Sequence, residues 1–245
     1  MAPPIPVFIT VRDFGSPAAA MVRWLLELPG QPARPIVVDN ASTWEPWLDW
    51  LERAPCEVVR LPENLGPRAA LTVCSARLAG SPYYVITDGD LDLAGVPADV
   101  FELLSEALDR LPRIGKAGLS LRIDDLPDGY PWKDRVLDVE GPYWQRMTSH
   151  FRWRHRGDVA HFYHAPIDTT FAMLRAGEPY TAYEPALRAA RPYTARHVPW
   201  YITPETVTPE YLWYLDHLGS AHRGGVYWTT LAADARLGME SRALG

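Results

Sequence analysis

One rhythm constrains this chain more than any other feature. From residue 6 to residue 123, short apolar runs rich in Val, Ile and Thr alternate with amphipathic stretches. Strands that alternate with helices over short connections predict an α/β fold built on a doubly wound, mostly parallel sheet with helices on both faces. Strands are expected at residues 6–13, 35–39, 58–61, 83–87 and 116–123. Ser16-Pro17 opens a helix carrying Met21, Val22, Leu25 and Leu26. Thr43 is placed to cap a second, whose Trp44, Trp47, Leu48 and Leu51 share one face. Further helices are expected at 67–79, opened by Pro67, and at 97–111, with Val100, Phe101, Leu104 and Leu108 on one side. Right-handed crossovers put the carboxyl ends of such strands along one edge, where open α/β sheets bind ligands. Five polar clusters then fall on that edge: Arg12-Asp13, Asp39-Asn40, Asn64 to Gly66, Asp88 to Asp90, and Asp124-Asp125.

The fourth cluster carries the most chemistry. Residues 83–92 begin as an apolar β run and stop at Asp88-Gly89-Asp90 and Asp92. Two carboxylates two residues apart can converge on one hard cation, and such cations commonly bridge phosphates. A lone acidic turn has the same composition, because Asp and Gly are ordinary turn residues. The other four strand ends favour a ligand site over a solvated turn, with Asp88 and Asp90 as its centre and Asp92 outside it.

Composition narrows the partners. The 245 residues fit one large domain, and a formal net charge of −6 argues against nucleic-acid binding, which calls for a basic face. An anionic substrate would need local Arg residues or a metal. Cys56 and Cys74 lack metal spacing and fit a reduced, cytoplasmic chain. No signal-peptide pattern and no apolar window of membrane-spanning length is visible. G-x-G-x-x-G, G-x-S-x-G and P-loop motifs are absent, which weighs against a nicotinamide dehydrogenase, an α/β-hydrolase and a P-loop enzyme.

Beyond residue 125 the rhythm changes. Residues 126–160 are rich in Trp, Arg, Pro and Gly without clear periodicity. Residues 165–175 alternate like a strand, 180–203 read as irregular, and Thr208-Pro209-Glu210 opens a last helix over 211–218. The remaining tail is weakly patterned. His150, His155, His161 and His164 form a visible cluster. On a strand, however, positions 161 and 164 face opposite sides, so structural or acceptor-facing roles are favoured over metal ligation. Trp132, Trp144, Trp153 and Trp200 are open between stacking on a sugar and packing in the core.

Ile36-Val37-Val38-Asp39-Asn40-Ala41-Ser42, Glu63-Asn64-Leu65-Gly66 and Thr87-Asp88-Gly89-Asp90 occur in the order found in GT-A fold glycosyltransferases of the family 2 type, which the first half of the chain resembles. Residues 121–125, 165–172 and 193–201 are similar to a bacterial subgroup of these enzymes. The resemblance implies a single GT-A domain over 1–245, with a nucleotide-binding half (1–123) and an acceptor-binding, site-covering half (124–245). It implies a nucleotide-sugar donor of the UDP- or GDP-sugar class, an acceptor of unidentified chemistry, and Mn²⁺ or Mg²⁺. A homodimer is kept as an option.

Carried over residue by residue, the resemblance puts Arg12, Asp13, Asp39, Asn64, Gly66, Arg68, Asp88 and Arg196 at the nucleotide sugar. It puts Asp90, Asp88 and His197 at the metal. Inverting transfer needs a carboxylate to accept the acceptor's proton. Asp168 is the first candidate, with Asp124 and Asp125 in competition; Ile167-Asp168 has one acid where the family usually shows a pair. The expected activity is therefore metal-dependent glycosyl transfer with inversion. A sugar nucleotidyltransferase and a non-catalytic nucleotide-sugar-binding module are the alternatives.

Overall fold

A computed structural model describes residues 3–145, 150–178 and 185–218. The weakly patterned tail beyond 218 and the first part of the 180–203 stretch lie outside those residues, as does the side chain of His150. The described strands are β1 (Ile5–Val11), β2 (Ala33–Asp39), β3 (Glu57–Arg60), β4 (Tyr83–Asp88), β5 (Leu91–Asp92), β6 (Lys116–Leu121), β7 (His150–His155), β8 (Asp158–His164), β9 (Ala172–Arg175) and β10 (Ala186–His197). The helices are α1 (Ser16–Glu27), α2 (Glu45–Leu51), α3 (Val100–Arg110), α4 (Lys133–Gln145) and α5 (Pro209–Asp216).

The strands form one sheet in the order β3-β2-β1-β4-β9-β6-β10-β8-β7, with β5 paired to β10 off that path. β1, β2, β3 and β4 pair in parallel, as the rhythm predicts. β9 then enters antiparallel between β4 and β6, so β6 keeps the direction of β4, and β10 lies parallel to β6. The class is α/β, with a central and mostly co-directional sheet flanked by helices.

The continuous apolar runs are explained by burial on both faces. Val7, Ile9 and Val11 of β1 point into a core with Met21, Val22 and Leu25 of α1 and Leu104 and Leu108 of α3. The alternate residue Phe8 joins Ile36, Val38 and Ile86 in a second core on the other face, closed by Ala69, Ala70 and Ile167. A third cluster, Phe14, Ile202, Tyr211 and Leu215, seats α5 over the end of the sheet.

Several expectations are corrected. Residues 67–79 form no α-helix but two short 3-10 turns, Ala69–Thr72 and Ser75–Arg77. Ser16 does not cap α1; the α1 amides of Gly15 and Ser16 donate to Glu210 Oε1, at 2.8 and 2.9 Å. Thr43 does not cap α2; Trp44 stands at its N-cap without a side-chain cap bond, and Asp13 Oδ1 accepts from the amides of Thr43 and Trp44 just before the helix. Residues 126–160 hold α4 and the β7–β8 hairpin. The strand expected over 165–175 is confined to Ala172–Arg175, and the stretch read as irregular contains the 12-residue strand β10. The register of β10 against β6 shifts between Ala189 and Thr194, around Pro192, which has no amide to give to a ladder.

Candidate active site

A cleft of ≈ 310 Å³ opens at the carboxyl ends of β1 and β4. Its walls include Thr10 and Arg12 from β1 and the turn after it, Asn40 after β2, Gly66 and Pro67, and Asp88, Gly89 and Asp90. The far walls come from Asp168, Thr169 and Thr170, from Glu140 and Arg188, and from His197, Trp200, Tyr211 and Tyr214. Strand ends distant in sequence thus meet at one edge, as the topology of such sheets requires.

Gly89 sets the shape of the acidic turn. Its amide donates to Thr10 O at 2.9 Å, and a Cβ there would stand 2.7 Å from Val11 Cγ2 and 3.1 Å from Thr10 O. Packing this residue against β1 leaves Asp88 and Asp90, on either side of it, at the cleft. Asp88 Oδ2 accepts the Thr169 hydroxyl at 2.6 Å, while the Asp88 amide donates to Thr169 O. Burial pushes the Asp88 carboxyl well above the usual carboxylate range; Asp90 and Asp168 add to this and the Thr169 hydroxyl opposes it.

Asp90 and His197 are brought together by the β5–β10 pairing, in which His197 lies opposite Leu91. Val198 N donates to Asp90 O at 2.8 Å, and His197 Nε2 stands 3.1 Å from Asp90 Oδ2. The His197 ring packs on Trp200 with centroids 4.8 Å apart. The second carboxylate oxygen, Asp90 Oδ1, is buried and has no hydrogen-bond partner among the described residues; the same holds for Thr10 Oγ1. Buried polar atoms are rarely left so.

Among the described residues, no group of three or more His, Cys, Asp or Glu has the arrangement of a protein-only metal site. Asp88, Asp90 and His197 therefore do not form a closed cage. The donor set does fit a Mg²⁺-like ion in another way. Such ions are commonly held by one or two carboxylates together with substrate phosphates, and the orphaned Asp90 Oδ1 is an oxygen donor of the required kind.

The other predicted residues divide. Arg12 lines the cleft, and its guanidinium donates to the carbonyls of Asn40, Ala41 and His217. Asn64 Oδ1 accepts from Asn40 Nδ2 and from Gly66 N, each at 2.9 Å, and so shapes the loop that brings Gly66 to the cleft. Gly66 has φ 79°, which suits glycine. Arg68 stands 3.5 Å from Asp168, whose half-exposed carboxylate lines the cleft.

Five predicted residues are occupied elsewhere. Asp13 is buried and accepts from the amides of Thr43 and Trp44, just before α2. Asp39 is buried between Trp47 Nε1 (3.4 Å) and Arg60 (3.6 Å) and is not among the lining residues. Asp125 accepts from Arg196 Nε at 2.9 Å and from the Tyr201 hydroxyl at 2.7 Å, so these two predicted residues are paired with each other outside the cleft. Burial alone would raise the Asp125 carboxyl, but Tyr201 and Arg196 outweigh it and lower it. Asp124 pairs with Arg191 and is likewise not among the lining residues.

Sequence reading missed Glu140, Arg188, Thr169, Tyr211 and Tyr214 as cleft residues. Burial, with Asp90 and Asp88 next, raises the Tyr214 hydroxyl above its usual value. Glu140 and Arg188 came from stretches without periodicity, so nothing in the sequence marked them. The described members of the histidine cluster are engaged with neighbouring side chains, His164 with Phe151. His155 is buried between Glu106 (2.8 Å) and Asp99 (3.3 Å), and His161 packs on Tyr163.

No known family model and no curated protein matches the chain. Solved structures do. The mannosyltransferase PcManGT of Pyrobaculum calidifontis, solved with GDP-Man and Mn²⁺, is 15% identical over 98% of this chain and 76% of that one, with a TM-score of 0.47. Residues 1–349 of Staphylococcus aureus TarS are 10% identical over 71% of this chain and 47% of that one, at a TM-score of 0.40. Glucosyl-3-phosphoglycerate synthase of Mycobacterium tuberculosis is 16% identical over 56% of this chain and 50% of that one, at 0.39. The chain spans less than half the length of the TarS structures it matches. These are likenesses of architecture alone.

Proposed function

We propose that the chain is a glycosyltransferase that moves a sugar from a nucleotide-diphosphate donor of the UDP- or GDP-sugar class to an acceptor hydroxyl, using Mn²⁺ or Mg²⁺. The observation that carries the reading is Asp90, held at the cleft by β5 and β10 with a buried, unpartnered Oδ1. The order of the three strand-end motifs in the sequence supports it. Asp90 is the principal metal residue, with Asp88 and His197 beside it. When bound, such a cation acts as a Lewis acid that stabilises charge on the departing diphosphate.

The chain's own residues do the rest. Arg12, Asn40 and Gly66 line the nucleotide end, and Asn64 keeps that loop in shape. Thr169 fixes Asp88. Asp168, oriented by Arg68, takes the acceptor's proton, and a single base in that role gives inversion at the anomeric carbon. Residues up to 123 serve the nucleotide, and those beyond serve the acceptor and cover the site. Cys56 and Cys74 are free thiols, which fits a reducing cytoplasm.

A mass-spectrometric screen of UDP- and GDP-sugars with Mn²⁺ tests this. Release of nucleoside diphosphate with transfer or hydrolysis of the sugar is expected. Release of pyrophosphate would assign nucleotidyl transfer instead, and binding without turnover would leave a non-catalytic module.

A further inference from the structure

Glu140 and Arg188 have no part in the donor chemistry above, yet both line the cleft. Glu140 Oε2 accepts from Arg188 Nη1 at 2.7 Å, and the two side chains are 4% and 9% exposed. A buried ion pair is a poor source of stability, because desolvation of both charges offsets their attraction. Its retention against an open cleft therefore calls for another reason.

Arg188 is held rigidly. Its Nε donates to Pro166 O at 2.8 Å, and its guanidinium lies 4.3 Å over the Tyr143 ring. Those bonds leave Glu140 Oε1 and Arg188 Nη2 without a hydrogen-bond partner among the described residues. The pair thus keeps one acceptor and one donor in reserve. Pro166 is two residues before Asp168, so the pair is tied to the segment that carries the proposed base.

We propose that Glu140 and Arg188 form a subsite that reads two adjacent hydroxyl groups of a neutral polyol, a sugar ring. Glu140 Oε1 accepts a hydrogen bond from one hydroxyl, and Arg188 Nη2 donates to the oxygen of the next. A lone Arg would favour a phosphate or carboxylate, as guanidinium does bidentately. Here Glu140 neutralises that preference and repels an anion. Polar groups already fixed in a cleft supply specificity at low ordering cost. Identifying the polyol as the acceptor rests on the glycosyltransferase reading; the subsite itself does not.

The test is saturation-transfer NMR with the methyl α-glycosides of glucose, mannose and galactose, each without nucleotide. At least one should give a signal with the wild-type protein. Glu140→Gln and Arg188→Lys, with folding checked by thermal melting, should weaken that binding at least about fivefold. Independently of any variant, wild-type protein should bind a deoxy glycoside lacking one of the two hydroxyls at least about fivefold more weakly. Absence of any glycoside signal from wild type, equal binding by both folded variants, or equal binding of every deoxy analogue would overturn the subsite. Titration of the same samples with UDP and GDP plus Mn²⁺ is read separately. Its failure would contradict the donor reading and leave the glycoside result to decide this one.

Discussion

Asp88 and Asp90 reach one cleft because the residue between them has no side chain. Gly89 touches β1 closely enough that a methyl group would meet Val11 Cγ2 at 2.7 Å. Gly89→Ala should therefore destabilise the protein by about 1–3 kcal/mol, the usual range for overpacking, and disturb both carboxylates. A chemical denaturation midpoint equal to wild type would show that the turn accommodates the methyl. Asp168 makes a different prediction. Asp168→Asn should bind donor as wild type does and transfer sugar about 100- to 10,000-fold more slowly, the usual range for a lost general base. Wild-type turnover in single-turnover kinetics would remove it from the role. Asp124 and Asp125 are weaker candidates than their sequence position suggested, since Arg191, and Arg196 with Tyr201, occupy them. At this scale the acidic turn was legible, because its residue types announce their chemistry. Asp13 was not. An acid at a strand end looks the same whether it faces a ligand or holds the amides of the segment before the next helix, and only the path of residues 41–45 decides.

Elements outside the sheet's first half bring the distant side chains in. The short β5 holds His197 beside Asp90 by pairing with β10, and Glu210 of α5 accepts from the amides at the start of α1. On the far edge, the β7–β8 hairpin is fixed to α3 by His155, Asp99 and Glu106. Burial alone would raise the Glu106 carboxyl, but His155, Arg110 and Trp153 outweigh it and hold it below its ordinary value. A carboxyl lowered on folding adds stability that is complete above its unfolded pKa, about 4.3. That stability is lost as pH falls through the lower folded value. Glu106→Gln should thus lower the melting temperature at neutral pH and flatten its decline on the acid side. Parallel melting curves for variant and wild type from neutral to acid pH would contradict this. β1, β2 and β4 were legible because burial on two faces writes unbroken apolar runs, and α1 to α3 because their apolar residues recur on one face. β10 was not, because Arg188, Arg191, Pro192 and Arg196 interrupt it for reasons of cleft lining, ion pairing and register. α4 was hidden by Gly141 and Pro142 within it.

Over the whole molecule, one sheet carries both halves of the proposed reaction. Its early strands end at Arg12, Asn40, Asp88 and Asp90, and its late strand β10 contributes Arg188 and His197 to the same cleft. No described helix is long and apolar enough to cross a membrane. On the proposed function the metal, not the nucleotide base, is the feature most dependent on the acidic turn. Calorimetric titration of UDP and GDP, with and without Mn²⁺, into wild type and Asp90→Ala tests that dependence directly. The account predicts that Mn²⁺ tightens nucleotide binding to wild type and leaves folded Asp90→Ala unchanged. Identical metal dependence in the two proteins, or none in wild type, would contradict it.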